Sequence, residues 1–246
     1  MNFRTGIGTS YADSITLMGR DLATELMGNV TLTELAFLMV QRRMPSPEET
    51  RLFDAVLVSL ADHGLTPTVL AARLTYTGAP ESIQGAVAAG LLGAGSVFLG
   101  VVEDTARFLE EIGEDVEAGV AQALAAERRI PGLGHPVHKV QDPRTPRIYA
   151  IAEETGQLGP HLRRLRELAA THAKQTGREL PINGAGVAGA ALADLGFPIP
   201  LLRGFALLAR TAGLLGHLAE EMEHPLGMPL YREVDERAKY DPPTGE

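Results

Sequence analysis

The sequence predicts an all-α fold, and three observations carry that expectation. Apolar residues recur three and four positions apart along most of the chain, while strand-like alternation is nearly absent. Helix-starting signals, a capping residue followed by proline or glutamate, return again and again. Small residues are abundant, including 27 glycines, whereas aromatic residues make up 5% and tryptophan is missing. That composition suits helices whose backbones approach closely.

In chain order, "TLTE" (Thr31 to Glu34) is a capping box opening "LAFLMVQRR". "SPEE" (Ser46 to Glu49) combines a serine cap, a proline in the first turn and a glutamate three residues on. It opens a helix with Leu52, Phe53, Val56, Leu57 and Leu60 on one face. "TPTVLAARL" and "PESIQGAVAAGLLGAG" start in the same way at Pro67 and Pro80. "SVFLGVVEDTARFLEEIG" and "EDVEAGVAQALAAERR" are amphipathic, the second with an acidic first turn that suits the helix dipole. Four further helices are expected in "TPRIYAIAEETG", "PHLRRLRELAATHAKQTG", "PINGAGVAGAALADLG" and "IPLLRGFALLARTAGLLGHLAEEME". The total is roughly ten to twelve helices. Gly85, Ala89 and Gly93 form a small-residue face, expected in the core or at a dimer seam. The polar tail from Glu233 is expected to be an extended or disordered arm.

A chain of 246 residues with no internal repeat can bury a sizeable core. It is expected to form a large helical domain over 1–113 and 197–246, with a smaller lobe over 114–196. The net charge is −9, and no basic stripe is present, which argues against nucleic acid as a partner. No apolar run is seen to reach the roughly 18 residues of a spanning helix, so no membrane partner is expected. The opening "MNFRTGIGTS" lacks a signal-peptide pattern, and a cytoplasmic location is expected. Cysteine is absent, which excludes disulfides and thiolate chemistry. The scattered histidines suggest no metal site. No strand precedes the glycine-rich helix to suggest a dinucleotide fold, and no G-x-S-x-G marks a serine hydrolase.

Three stretches can carry chemistry. "PGLGHPVHKVQDPR" (Pro131 to Arg144) places His135 at a bend beside Gly132 and Gly134, with Lys139 and Arg144 able to bind phosphate or carboxylate. Its plain alternative is a solvated loop. "ADHG" puts His63 at the end of an amphipathic helix, either as a dipole-stabilised cap or as a proton shuttle. "LLARTAGLLGHLAEE" carries Arg210 in an apolar run. Its guanidinium needs an anion, either Asp194 or Glu220 of this chain or a substrate carboxylate. His217 follows two turns later.

In this order, "ADHGLTPTVLAARL", "GLGHPVHKVQDPR" and "LLARTAGLLGHLAEE" resemble the citrate synthase superfamily. The closer likeness is to its short branch, citryl-CoA lyase and the C-terminal lyase module of ATP-citrate lyase. The resemblance runs from about Leu32 to Tyr231, and G-x-G-H…D-P-R is its most specific part. It implies a dimer acting on a coenzyme A thioester and a small carboxylic acid. By position His63 and His135 look like the catalytic histidines, and Arg144 and Arg210, with His217, like the carboxylate-binding set. Pro131, Gly132, Leu133 and Gly134 would cradle the adenine end of coenzyme A, and Lys139 would meet a phosphate. Phe98 replaces the family's synthase histidine, which points to the lyase branch. Ala185, beside Asn183, stands where the family carries a proton-moving aspartate, and His224 stands near the place of a second-subunit arginine. The expected activity is cleavage of citryl-CoA or a close analogue to acetyl-CoA and a 2-oxo acid such as oxaloacetate. Departing-enolate stabilisation is expected from the Gly184–Gly186 N–H groups, and its protonation from water or His217. A condensing enzyme for another 2-oxo acid and a non-catalytic CoA-ester binder are the alternatives.

Overall fold

The computed structural model describes residues 2–243. It is all-α in architecture, with eleven α-helices among the described residues. The exception is a three-stranded antiparallel sheet, β1 (Gly8–Ser10), β2 (Ile15–Leu17) and β3 (Arg20–Asp21), with Gly8 opposite Leu17 and Leu17 opposite Arg20. The alternation test missed it because strands of two or three residues are too short to show a period. Met18 and Gly19, both at positive φ, form its second turn, as a two-residue hairpin requires.

The chain divides into two compact units. The first comprises residues up to Ser59 together with Val101–Leu202, so the segment 114–196, expected as a separate lobe, lies wholly inside it. Its helices are α1 (Leu32–Gln41), α2 (Pro47–Leu60, reaching the boundary), α5 (Val101–Ile112), α6 (Val116–Ala125), α7 (Arg144–Glu154), α8 (Pro160–Thr176) and α9 (Gly184–Asp194). Both expected capping boxes form. Thr31 accepts from Glu34 N at 3.2 Å while Glu34 accepts from Thr31 N at 2.8 Å. Ser46 and Glu49 exchange the same pair at 3.2 and 2.8 Å. Phe37 and Phe53, on α1 and α2, meet Phe197 with ring centroids 5.1 and 4.9 Å from it, and this aromatic cluster anchors one end of the core.

Helix α9 is the centre of the first unit and packs on α5, α7 and α8. Its sequence explains why: a Cβ on Gly189 would lie 2.0 Å from the Val102 carbonyl oxygen of α5, so the two backbones touch where only glycine fits.

The second unit comprises Leu60–Gly100 and the chain from Arg203 onward. It holds α3 (Pro67–Gly78), α4 (Ile83–Leu92), α10 (Leu202–Glu223) and α11 (Gly227–Arg237). Val69 and Ala72 of α3, Ala86 of α4, and Leu214 and Leu218 of α10 form its core. The buried small face of α4 is Ala86 and Gly90, one position along from the expected Gly85, Ala89 and Gly93. Helix α11 extends to Arg237, so the first five residues of the tail expected as an extended arm are helical. The last three residues of that tail lie outside the described residues. Contrary to the expectation from the apolar runs, residues 199–223 form one helical stretch long and apolar enough to cross a membrane by length and composition. Short polar interruptions such as Arg203 and Arg210 hide it from an eye looking for an unbroken run.

Candidate functional site

The first unit contains the "PGLGHPVHKVQDPR" loop, and the loop is stitched to the start of α9. Gly134 N donates to Pro181 O at 2.7 Å, and Asn183 N donates to Gly132 O at 2.9 Å. The Asn183 side chain works twice. Its Oδ1 accepts from Gly186 N at 2.8 Å as the cap of α9, and its Nδ2 donates to Gly134 O at 2.9 Å. Gly132 and Gly134 have φ of +87° and +79°, and a Cβ on Gly186 would lie 2.5 Å from the Gly132 Cα. Glycine is therefore required on both sides of this contact. The Gly132 carbonyl and the N–H and carbonyl of Gly134, expected to face a ligand, are used inside the protein. Pro131 is half-buried and Leu133 buried.

Asp142 and Arg144 are built into the same frame. Asp142 is 0% exposed. It accepts from Arg144 Nε at 2.9 Å, from Arg144 Nη2 at 2.7 Å and from Gly184 N at 2.7 Å. Burial alone would raise its carboxyl, but the Arg144 side chain and the Gly184 N–H outweigh burial and lower it to about 2. A Cβ on Gly184 would lie 2.2 Å from Arg144 Cζ, so the guanidinium lies flat against the first turn of α9. Arg144 Nη1 reaches the Ser59 carbonyl at 3.4 Å. Asp142 thus orients Arg144, a role that sequence reasoning did not assign although the residue lies within D-P-R.

His135 has a defined orientation. Its Nδ1 accepts from Val137 N at 3.1 Å and His138 N at 2.9 Å. With Nδ1 occupied as an acceptor, the neutral ring carries its proton on Nε2. The His138 ring stacks on it at 4.5 Å between centroids, and Lys139 Nζ donates to His135 O at 3.0 Å. Lys139 is exposed, and its ammonium closes the loop on itself.

Ala185 occupies the first turn of α9, half-buried. The N–H groups on either side of it are committed, Gly184 N to Asp142 and Gly186 N to Asn183. The three-group N–H cradle expected over Gly184–Gly186 is therefore reduced to the Ala185 N–H.

The second unit holds His63, Arg210 and His217. His63 sits at the tip of a turn between α2 and α3. Asp62 closes that turn by accepting from Gly64 N at 2.9 Å, with Gly64 at φ +74°. Asp62 also pairs with His217 Nε2 at 2.9 Å. Burial raises the Asp62 carboxyl, but the Gly64 N–H and His217 together hold it below its ordinary value. The other nitrogen of His217, Nδ1, lies 3.3 Å from Arg73 Nη2. Both ring nitrogens of His217 are thus engaged inside this unit, which leaves it poorly placed to bind a carboxylate or to protonate an enolate. Arg210, on α10, is 5% exposed. Neither partner considered for it from sequence is idle: Asp194 caps α8 through His161 N and Leu162 N, and Glu220 pairs with Arg73. Phe98 lies in the turn before α5, and His224 is exposed at the end of α10. Asp62 and Arg73 were missed because their partners are remote in sequence.

With the geometry in place, the comparisons with known proteins are specific. The family description "Citrate synthase, C-terminal domain" matches residues 11–233. The structure is similar to that of citryl-CoA lyase from Hydrogenobacter thermophilus, with a TM-score of 0.90 and 31% identity over 99% of this chain and 96% of that one. ATP citrate lyase from Methanothrix soehngenii, solved in complex with citrate and coenzyme A, aligns at a TM-score of 0.83 over 99% of this chain and 42% of its own. At 22% identity that likeness concerns the fold alone. In sequence, the citrate synthase of Synechocystis sp. is 30% identical over 194 residues, 75% of this chain and 48% of that protein. The chain thus spans about half the length of that synthase.

Proposed function

The chain belongs to the citrate synthase family, and we propose that within it the protein is a carbon–carbon lyase of the citryl-CoA lyase type. It would cleave a 3-hydroxyacyl-CoA, citryl-CoA or a close analogue, to acetyl-CoA and a 2-oxo acid. The observation that carries this reading is the first turn of α9. There the Asp142–Arg144 pair and the His135 loop are held by hydrogen bonds, while the proton-moving aspartate implied by the resemblance is replaced by Ala185.

Condensation must remove a proton from the acetyl carbon, a step that needs a base at this position. Cleavage starts elsewhere. A proton leaves the substrate hydroxyl, the carbon–carbon bond breaks as the 2-oxo acid's carbonyl forms, and the electron pair passes to the thioester enolate. That enolate then gains a proton. His135, with its proton on Nε2, is suited to donate a hydrogen bond to the oxygen that becomes the carbonyl. It is not suited in this tautomer to act as the base, and that role is proposed for His63, the second histidine nominated by the resemblance. Arg144 supplies a positive charge for a carboxylate, and Ala185 N–H a donor for the enolate oxygen. The family likeness also favours a homodimer, and a cytoplasmic location remains the expectation.

Ala185 equally favours a second reading, a binder of CoA esters without turnover. One assay separates them. Purified protein is given citryl-CoA, citramalyl-CoA and malyl-CoA, and acetyl-CoA release is followed by chromatography. The lyase reading expects release that disappears in His135→Ala. It also expects Ala185→Asp to speed cleavage, by up to the roughly 10²–10⁴-fold that a positioned general acid supplies. Binding of all three thioesters with no release would establish the binder instead.

A further inference from the structure

The second unit carries a buried charge network that the proposed chemistry does not use directly. Arg73 of α3 and Glu221 of α10 are each 3% exposed and pair at 3.2 Å, Nη1 to Oε2. Glu221 is itself fixed, because its carboxylate accepts from Gly227 N at 2.8 Å and from Leu226 N at 2.9 Å at the start of α11. Arg73 Nη2 pairs with Glu220 and faces His217 Nδ1 at 3.3 Å. Nδ1 also has Glu220 Oε2 at 3.8 Å, but the guanidinium is nearer and has donors only, so in the neutral ring Nδ1 accepts and the proton sits on Nε2. That proton points at Asp62 Oδ1, 2.9 Å away, while Asp62 Oδ2 takes the Gly64 N–H. The turn is pinned a second time one helical turn earlier on α10. A Cβ on Gly213 would lie 2.0 Å from Ala61 O, so the backbone just before Asp62 rests directly on that helix.

We infer that Arg73 is a positioning residue: it sets the tautomer of His217, and His217 acting through Asp62 sets the turn that carries His63. That His63 performs chemistry rests on the lyase reading above, whereas the tautomer and the turn do not. Were the His217 proton on Nδ1, it would meet the guanidinium at 3.3 Å before the Glu220 carboxylate at 3.8 Å, and Nε2 would face Asp62 with no hydrogen to share.

The test is long-range ¹⁵N correlation spectroscopy of the histidine rings in the full-length protein, with His217 assigned from His217→Asn. The expected spectrum shows His217 protonated on Nε2 in the wild type and a tautomer mixture in Arg73→Met. In the cleavage assay Arg73→Met should lose kcat, up to about 10²-fold for a misplaced His63, with KM nearly unchanged. If Arg73→Met does not fold, the half-exposed Asp62→Asn takes its place. His217 and Gly64 are met by different Asp62 oxygens, so with the amide oxygen toward His217 the NH2 group faces Gly64 N–H; the turn bond is lost and kcat falls while the His217 tautomer stays as in the wild type. A wild-type His217 protonated on Nδ1, or unaltered kcat in every folded variant, overturns the inference. If the wild type cleaves none of the thioesters, the lyase reading fails alone. Amide exchange at Gly64 then decides: faster exchange in the variants supports the inference, and equal exchange overturns it.

Discussion

His135 and His63 both sit at tight turns, yet they are held by different means. His135 is held by its neighbours: its Nδ1 takes the N–H groups of residues two and three positions along. The turn of His63 is held from afar, since Asp62 is oriented by His217, 155 positions later. The first device is local and forms whenever the loop takes its shape. The second exists only once α10 has packed beside the turn. The His135 ring is thus fixed locally although its loop is stitched to α9, whereas the His63 turn is fixed by the remote side chain of His217.

The largest effect is expected at Asp142, which joins Arg144 to the first turn of α9. Asp142→Ala strips the half-buried Arg144 of its partner and leaves the Gly184 N–H without an acceptor, and a loss of about 3–5 kcal/mol is expected in chemical denaturation. The pH dependence has a definite sign. The folded carboxyl lies near 2, below its ordinary value of 3.8, so its contribution is present above about pH 4 and is lost as the pH falls through 2. Thermal unfolding followed from pH 5 to pH 2 should lose that acid limb in Asp142→Ala.

A matched pair of glycine variants sharpens the contrast. Gly186→Ala drives a methyl toward the Gly132 backbone, and Gly213→Ala drives one toward Ala61 O. Overpacking against backbone should cost each about 1–3 kcal/mol. In NMR the first should shift the ring signals of His135 and leave His63 in place, and the second should do the reverse. Equal shifts of both rings in both variants would show that the two devices are not independent. Asn183→Ala, which removes a cap and the donor to Gly134 O, should cost about 1 kcal/mol in the same denaturation series. Lys139→Ala is expected to be the smallest change, within about 0.5 kcal/mol, because its contact with His135 O is exposed.

Much of the fold was legible in the residues themselves. Thr31 and Ser46 stand as caps where their sequences place them, because a capping bond spans only three residues. The resemblance named His63, His135, Arg144 and Arg210 for the site, and the structure places His135 and Arg144 in one hydrogen-bonded frame around α9. Their supports were less visible. Asp142 is one more acidic residue until Gly184 N is seen to donate to it, and Arg73 is an ordinary helical arginine until α10 brings Glu221 and His217 against it. His217 looked like a ligand-facing residue for the same reason, since nothing near it in sequence shows that both nitrogens are occupied. The small N-terminal sheet was missed because its strands are shorter than the period that would reveal them.

The sequence by itself determined the helical class, the caps, the bend at His135 and the alanine at position 185. All of these follow from residue type and from spacings within a turn or two. Only the tertiary structure decided which nitrogen of His217 carries the proton, which carboxylates Arg73 meets and which backbone N–H groups at the start of α9 remain for a ligand. The reason is physical: hydrogen bonds act over about 3 Å in space, and the partners that settle these matters are brought to that distance only by packing.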